Sequence, residues 1–179
     1  FQETPQMEMF RPITKWSFRL SSADRASWAV RRAFSIASNG KPGPVYLDIP
    51  FDVGTSSTSA TSYTPSDRPI RVRPDSKRVR EAIELLLKSE RPVIVAGGGA
   101  LASMASRELL ELCEFIGIPV LTTPCGRGII PENHPLALGL VGLYRTSVGR
   151  EVYQGADLII SLGSRNEEFQ TASWRYFPE

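Results

Sequence analysis

The chain has few of the residues that metal, disulfide and nucleophile sites require. Of its 179 residues, only two are cysteine and one is histidine. Cys113 lies in a helical pattern and Cys125 in a loop, so they have neither a disulfide framework nor the spacing of metal ligands. His134, in the turn "PENHP", has no serine or cysteine nucleophile motif beside it, which favours a turn role. The sequence therefore predicts free thiols, no metal site, and no acid, base or nucleophile constellation.

A strong net charge and a long apolar run are also absent. The 21 basic and 19 acidic side chains give a net charge of +2, which is too small to indicate nucleic acid or a membrane surface as partner. No apolar run approaches the roughly 20 residues that cross a bilayer, and no basic-then-apolar leader precedes the first motif. We expect a cytoplasmic protein that binds a small-molecule substrate or another protein chain. Because the sequence does not begin with methionine, we also expect a fragment.

The first block of sequence, residues 1–53, predicts one helix and one strand. The stretch "SSADRASWAVRRAFSIASNG" begins with capping serines and ends at Gly40, as amphipathic helices do. A turn signal then leads into a strand at Val45–Ile49, whose partner strands we expect outside this chain. Residues 54–74 are rich in Ser, Thr and Pro without an apolar period, which predicts a linker. The predicted apolar face of the helix consists of Ala26, Val30, Ala33, Phe34 and Ala37.

From residue 75 onward the pattern alternates between helices and strands. Strands are predicted at Val93–Ala96, at Val120–Thr122 and in "DLIISLG", with helices before and between them. Strands that are apolar on both faces and separated by helices indicate a parallel sheet covered on both sides. The predicted fold class is therefore α/β, with a doubly wound, Rossmann-like parallel sheet in residues 75–179 preceded by a partial α/β domain. The first of these helices, capped by Asp75 or Ser76, has an apolar face of Val79, Ile83, Leu86 and Leu87.

Three loops follow the predicted strands and are expected at one edge, because all strands of a parallel sheet end there. They are "GGGALA" at 97–102, "TTPCGRG" at 122–128 and "GSRNEE" at 163–168. Ligands of open α/β sheets bind at this edge, where glycine admits a close backbone and a helix start offers N–H groups to an anion. The loops therefore favour a nucleotide-like phosphate, and close packing of strand and helix would also explain the glycines.

The glycines also match a permissive dinucleotide fingerprint. Gly97, Gly99 and Ala102 satisfy G-x-G-x-x-G/A between a strand and a helix. The acidic residue that should follow about 20 positions later, to hold a ribose hydroxyl, is missing from "PVLTTP". An NAD-linked dehydrogenase is therefore disfavoured. Arg165 directly follows the last predicted strand, where it would pair either with a phosphate or with one of the two glutamates after it.

Taken together, these motifs resemble the thiamine diphosphate enzymes of the acetolactate synthase type. The order and approximate spacing of that family are kept, over nearly the whole chain, by "FQETP", "PITK", "RAF", "GKPGPVYLDIPFDV", "RPVIVAGGG", "GIPVLTT", "HPLALGLVG" and "ADLIISLGSR". The resemblance implies that residues 1–53 are the C-terminal part of a pyrimidine-binding domain. It likewise implies that residues 54–74 are a linker and residues 75–179 a truncated central domain.

The resemblance also implies cofactors and site residues. Family members use thiamine diphosphate (ThDP) with Mg²⁺, but the glutamate and the "GDG...N" stretch that serve these cofactors are missing from this sequence, so the chain alone should be inactive. Phe1 and Gln2 match a pair that lies beside the active site at the dimer interface. FAD or an ADP-containing ligand would be bound in the central domain by the positions that match Gly98, Gly99, Thr122, Thr123, Leu140, Gly163 and Arg165.

By the same resemblance, the intact enzyme would be a homo-oligomer that decarboxylates a 2-keto acid or similar substrate and transfers the acyl carbanion. After the last strand the synthases have Arg-Phe-Asp-Asp-Arg, whereas this chain has Arg-Asn-Glu-Glu-Phe and loses the second arginine. Two alternatives therefore stay open. One is a ThDP acyl-CoA lyase or decarboxylase relative that binds ADP, and the other is a non-catalytic nucleotide-binding or regulatory domain.

Overall fold

The computed structural model describes residues 4–59, 62–66 and 72–178, and it divides into two compact units, Phe1–Arg73 and Pro74–Glu179. In the first unit, short elements surround one longer helix. They are α1 (Gln6–Phe10), a 3₁₀ turn (Arg11–Ile13), β1 (Ser17–Arg19), a 3₁₀ turn (Ala23–Arg25), α2 (Ala26–Ser38), β2 (Tyr46–Asp48) and α3 (Phe51–Thr55).

The strand β2 has one partner strand within the chain, which the sequence did not predict. β1 and β2 pair in parallel, with Phe18 opposite Leu47, and the Arg19 guanidinium lies 2.6 Å from the Asp48 carboxylate. The partner strand β1 lies in "WSFRL" and has only three residues. A strand of this length is too short to show an alternating pattern in the sequence. The apolar face of α2 also differs, since Ala29 and Ala33 are buried whereas Phe34 is 61% exposed.

The second unit contains a four-stranded sheet in the order β5-β4-β3-β6, and every neighbouring pair is parallel. This confirms the α/β fold class, because the unit's first strand lies between its second and fourth as in doubly wound folds. The elements are α4 (Ser76–Lys88), β3 (Pro92–Ala96), α5 (Gly98–Ala102), α6 (Ser106–Ile116), β4 (Val120–Thr122), a 3₁₀ turn (Pro124–Gly126), β5 (Ala137–Leu140), a 3₁₀ turn (Gly142–Tyr144), α7 (Ser147–Gln154), β6 (Leu158–Leu162) and α8 (Glu168–Thr171).

β5 was missing from the predicted strands. It has only four residues, and Gly139 within it has φ +89°, a conformation that glycine adopts freely and other residues rarely do. Gly139 therefore interrupts the apolar run in the sequence that would otherwise indicate a strand. The strand in "DLIISLG" is in consequence the fourth of this sheet and not the third.

The core of the second unit lies on both faces of the sheet. Alternate residues of β3 point to opposite sides, and Val93 to Ala96 are each at most 1% exposed. One face packs on α6, and we call this the α6-side cluster, whose buried members include Ile94, Ala96, Ala100, Leu109, Cys113 and Val120. The other face packs on α7, and we call this the α7-side cluster, whose buried members are Val93, Val95, Leu121, Val141, Tyr153 and Ala156.

Helix α4 begins as predicted, but most of its predicted apolar face is exposed. The Asp75 carboxylate accepts hydrogen bonds from two backbone N–H groups of the first turn, at 2.8 and 3.2 Å, which satisfies donors that a helix start leaves unpaired. Leu86 packs against the α6-side cluster, whereas Ile83 is 48% and Leu87 is 74% exposed. Periodicity thus located an amphipathic helix without indicating how much of its stripe is covered.

Candidate functional site

The strand order reverses at β3. From β3 the chain proceeds to β4 and β5 on one side, and β6 then returns to the other side of β3. Open α/β sheets bind their ligands outside the carboxyl ends of the strands at such a point. The loops after β3 and β6 therefore flank the position at which this fold binds ligands.

These two loops are in direct backbone contact. The N–H of Gly97 donates to the carbonyl of Leu162 at 2.8 Å, and the N–H of Gly99 donates to the carbonyl of Gly163 at 2.9 Å. A methyl group added to Gly97 would lie 2.5 Å from the Gly163 carbonyl oxygen, and one added to Gly163 would collide with the backbone nitrogen of Ala100. Neither glycine could carry a side chain without moving a backbone.

The loop after β4 packs on the other side of the glycine loop. The N–H of Thr123 donates to the carbonyl of Ala96 at 3.0 Å. A methyl group on Gly98 would lie 2.9 Å from the Cβ of Cys125, and one on Gly126 would lie 2.9 Å from the carbonyl carbon of Ala96. The three predicted loops therefore meet, with the glycine loop between the other two.

The predicted site residues do not line a single cavity. Thr122 and Leu140 are paired across β4 and β5, and they line a cavity of about 470 Å³ beside β5. Gly99 and Gly163 line a different cavity of about 400 Å³, between α5, α6 and β6. A ligand that touched all of the predicted positions would therefore have to extend beyond either cavity.

Arg165 forms the surface ion pair that the sequence offered as one alternative. Its guanidinium lies 3.2 Å from the Glu167 carboxylate, and its side chain is 62% exposed. Exposed pairs of this kind contribute little to stability. An anionic ligand could therefore replace the carboxylate at small cost.

Polar side chains around the buried Gln170, which no sequence pattern indicated, shape the loop after β6. Gln170 is only 4% exposed. Its carboxamide oxygen accepts from the Ser164 hydroxyl at 2.5 Å, and its nitrogen donates to the Asn166 side chain at 3.1 Å. Asn166 has φ +51°, a left-handed conformation that asparagine tolerates better than most residues. No periodic pattern reveals such a network, because its members are polar residues in a loop.

Histidine and cysteine have the roles that the sequence predicted. Within the turn, the ring of His134 accepts the N–H of Leu136 at 3.3 Å. The ring also lies 3.2 Å from the carboxylate of Glu114, on α6. Both cysteines are free thiols; Cys113 is buried and Cys125 is exposed. Burial raises the pKa of the Cys113 thiol.

Two further observations concern only the described part of the chain. In residues 4–59, 62–66 and 72–178, no group of three or more His, Cys, Asp or Glu side chains could hold a metal ion. No helix within those ranges is long and apolar enough to cross a membrane. Phe1 and Gln2, the near-catalytic candidates, lie outside the described residues.

Comparison with known proteins gives consistent matches. Residues 79–179 match the family model "Thiamine pyrophosphate enzyme, central domain". A probable acetolactate synthase large subunit from Methanocaldococcus jannaschii is 40% identical, over 99% of this chain and 31% of that protein. An acetolactate synthase from Mycobacterium bovis is 38% identical over 94% of this chain and 28% of that protein. An acetolactate synthase large subunit from Cyanidium caldarium is 35% identical over 94% of this chain and 30% of that protein. The chain thus spans about a third of the length of these curated relatives.

Proposed function

The chain belongs to the thiamine pyrophosphate enzymes, whose central domain matches residues 79–179, and on that basis we propose that it is part of an enzyme of the acetolactate synthase type. The observation that carries this proposal is the 40% identity over 99% of the chain, which extends through both structural units. Residues 1–53 are then the C-terminal part of the pyrimidine-binding domain, residues 54–74 a linker, and residues 75–179 the central domain.

The proposed activity of the intact enzyme is decarboxylation of a 2-keto acid followed by transfer of the acyl carbanion, in a cytoplasmic homo-oligomer. ThDP with Mg²⁺ would supply the carbanion chemistry when bound. Among the described residues, no group of three or more His, Cys, Asp or Glu side chains could hold a metal ion, and we place neither group on this chain. We therefore assign no chemical step to this chain.

This proposal is tested by assaying the chain with pyruvate, ThDP and Mg²⁺. We expect no turnover from the chain alone, and turnover after the residues that precede and follow it in the relatives are joined to it. A chimera in which residues 1–179 replace the matching third of the Mycobacterium bovis synthase provides that context. Clear turnover by the isolated chain would contradict the proposed division of labour, and an inactive but folded chimera would contradict the assignment to this enzyme type.

For the central domain we propose an ADP-containing ligand at the carboxyl edge of the sheet, with FAD as one such ligand. The three loops that meet there support it, and so does the weakly held Arg165 guanidinium. Gly98, at the start of α5, and Arg165 would hold the phosphates. Thr122 and Leu140 line the cavity of about 470 Å³ in which a ring system would fit.

Ligand binding is measured by the shift in thermal unfolding with ADP and with FAD. A ligand at 100 times its Kd stabilises the chain by about 2.7 kcal/mol. Arg165→Gln removes a charge-assisted contact and should weaken binding by roughly tenfold or more. Arg150→Gln is the matched control, because Arg150 is also exposed, on α7, and its guanidinium donates to the Gln154 side chain. An unchanged affinity for Arg165→Gln would contradict the assigned role of Arg165.

The colour of the protein separates the remaining alternatives. Yellow protein with flavin absorbance favours the synthase type, and colourless protein stabilised by ADP or CoA favours the acyl-CoA relatives. The substitution of Phe-Asp-Asp-Arg by Asn-Glu-Glu-Phe after Arg165 is the observation that favours the second outcome. A chain that responds to no nucleotide would have a central domain that serves only as structure.

A further inference from the structure

The segment Glu168–Phe177, which we call the strap, runs from one side of the sheet of the second unit to the other. It follows β6, the outer strand on one side, and it contacts the turn after β5, the outer strand on the other side. The contact is tight at Gly142, where a methyl group would meet the carbonyl oxygen of Phe169 and would lie 2.7 Å from the Cα of Gln170. The strap therefore spans the carboxyl edge of the sheet, from the loop after β6 to the turn after β5.

The far end of the strap is held on the α7 face of the sheet. The Arg145 guanidinium lies 4.0 Å from the centre of the Tyr176 ring and donates to the Gly142 carbonyl at 2.8 Å. Phe177 packs edge-on against Tyr153, with ring centroids 5.4 Å apart. Tyr176 and Phe177 both pack against the α7-side cluster. These contacts fix the strap to one face of the sheet.

The middle of the strap is strained. Ala172, Ser173 and Trp174 have φ values of +47°, +56° and +69°, and side chains other than glycine rarely occupy this left-handed region, least of all three in succession. Strain of this kind persists only where surrounding contacts hold it. Contacts at both ends thus hold closed a segment that would relax on release.

The opposite side of the edge carries an exposed thiol. Ala100 of α5 belongs to the α6-side cluster, and Cys125, which lies against Gly98 at the start of α5, is exposed. We propose that the strap closes the carboxyl edge on the α7 side, so that a ligand reaches the three loops only from the side of α5 and Cys125. The route of the ligand rests on the nucleotide proposed above. Closure by the strap does not depend on that nucleotide.

Hydrogen exchange tests the closure without any ligand. In the wild-type chain we expect protected amides in the strap, since the N–H groups of Thr171, Tyr176 and Phe177 all donate to backbone carbonyls. Gly142→Ala should speed their exchange by about tenfold through overpacking, with β3 unchanged. Gly128→Ala is the matched control, because both glycines have φ +83° and nothing lies within 4 Å of a methyl group at Gly128.

Two outcomes of the exchange experiment would overturn closure. One is strap amides that exchange in the wild type as fast as in an unstructured peptide. The other is a Gly142→Ala variant in which β3 and the strap accelerate equally. If Gly142→Ala does not fold, Arg145→Ala provides a milder release, because it removes only the contact with Tyr176 and one hydrogen bond.

Alkylation of Cys125 by iodoacetamide tests the side of entry, with the buried Cys113 as an internal unreactive control. We expect the Cys125 rate to stay within about twofold of wild type in Gly142→Ala and to fall about tenfold with saturating ADP. Faster alkylation on strap release would put Cys125 beneath the strap and overturn the proposal. ADP that stabilises the chain but leaves Cys125 fully reactive would do the same. If ADP does not stabilise the chain, only the nucleotide proposal is contradicted. Hydrogen exchange and alkylation without ligand still test closure by the strap.

Discussion

Replacing Gly163 with alanine tests the tight contact between the loops after β3 and β6. The residue has φ +62°, and a methyl group there would lie 2.9 Å from the Cα of Gly99 and 2.6 Å from its carbonyl carbon. The left-handed conformation costs alanine about 1–2 kcal/mol, and overpacking against a backbone costs about 1–3 kcal/mol. We therefore expect Gly163→Ala to lower the free energy of unfolding by about 2–5 kcal/mol.

Gly117→Ala separates the two effects. Gly117, at the end of α6, has φ +69°, and nothing lies within 4 Å of a methyl group there, so this variant should lose only the conformational cost of about 1–2 kcal/mol. Urea unfolding gives both losses from the shift in midpoint at constant slope, and exchange of the β3 amides shows that the second unit is the one affected. Equal losses in the two variants would refute the reasoning, because they would mean that the loops are apart.

Three further substitutions test the packing of the second unit. Tyr153→Phe should stabilise the chain by about 1 kcal/mol, because the Tyr153 hydroxyl is buried with no hydrogen-bond partner among the described residues. Burial raises the pKa of Tyr153 to about 12, so wild type should lose stability between pH 10 and pH 12 as the unfolded tyrosine ionises, and the variant should lose less. Asp157→Asn should lower the midpoint of thermal unfolding at pH 7, because the Asp157 carboxylate accepts the N–H groups of Glu90 and Arg91 at 2.8 and 3.0 Å. A hydrogen bond from the Ser89 hydroxyl, together with these two, lowers the pKa of Asp157, so the difference in midpoint should vanish as the pH falls through that pKa. Leu121→Ala should cost about 2–5 kcal/mol in urea unfolding, because Leu121 is fully buried, and a loss below 1 kcal/mol would contradict the described α7-side cluster.

The sequence was sufficient for the parts of the fold that depend on predominantly apolar runs of about five residues. β3 and β6 follow from such runs, and the meeting of their loops follows from the rule that parallel strands end at one edge. β1 and β5 were missed because strands of three and four residues give too few positions for a pattern. Whether such a short segment forms a strand depends more on its tertiary contacts than on its local β-propensity.

The location of the candidate site at the carboxyl edge of the sheet was predictable from the sequence, but the shape of its cavities was not. The positions of Gly98 and Gly163 place them at the carboxyl edge, and the structure has them there. The separation of Thr122 and Leu140 from Gly99 and Gly163, which line a different cavity, depends on how the loops pack. The strap depends on left-handed residues such as Ser173, for which the sequence gives no signal, since they are neither glycine nor asparagine.

The central position of β3 has a consequence for how the chain folds during synthesis. Its two neighbours are β4, which follows soon after it, and β6, which pairs Pro92 with Leu158. Contacts between residues so far apart form slowly, because the intervening chain must first be brought together. Until the ribosome has released Leu162, one edge of an almost wholly apolar strand has no partner. A nascent chain stalled before that point would present this edge for aggregation or for capture by a chaperone.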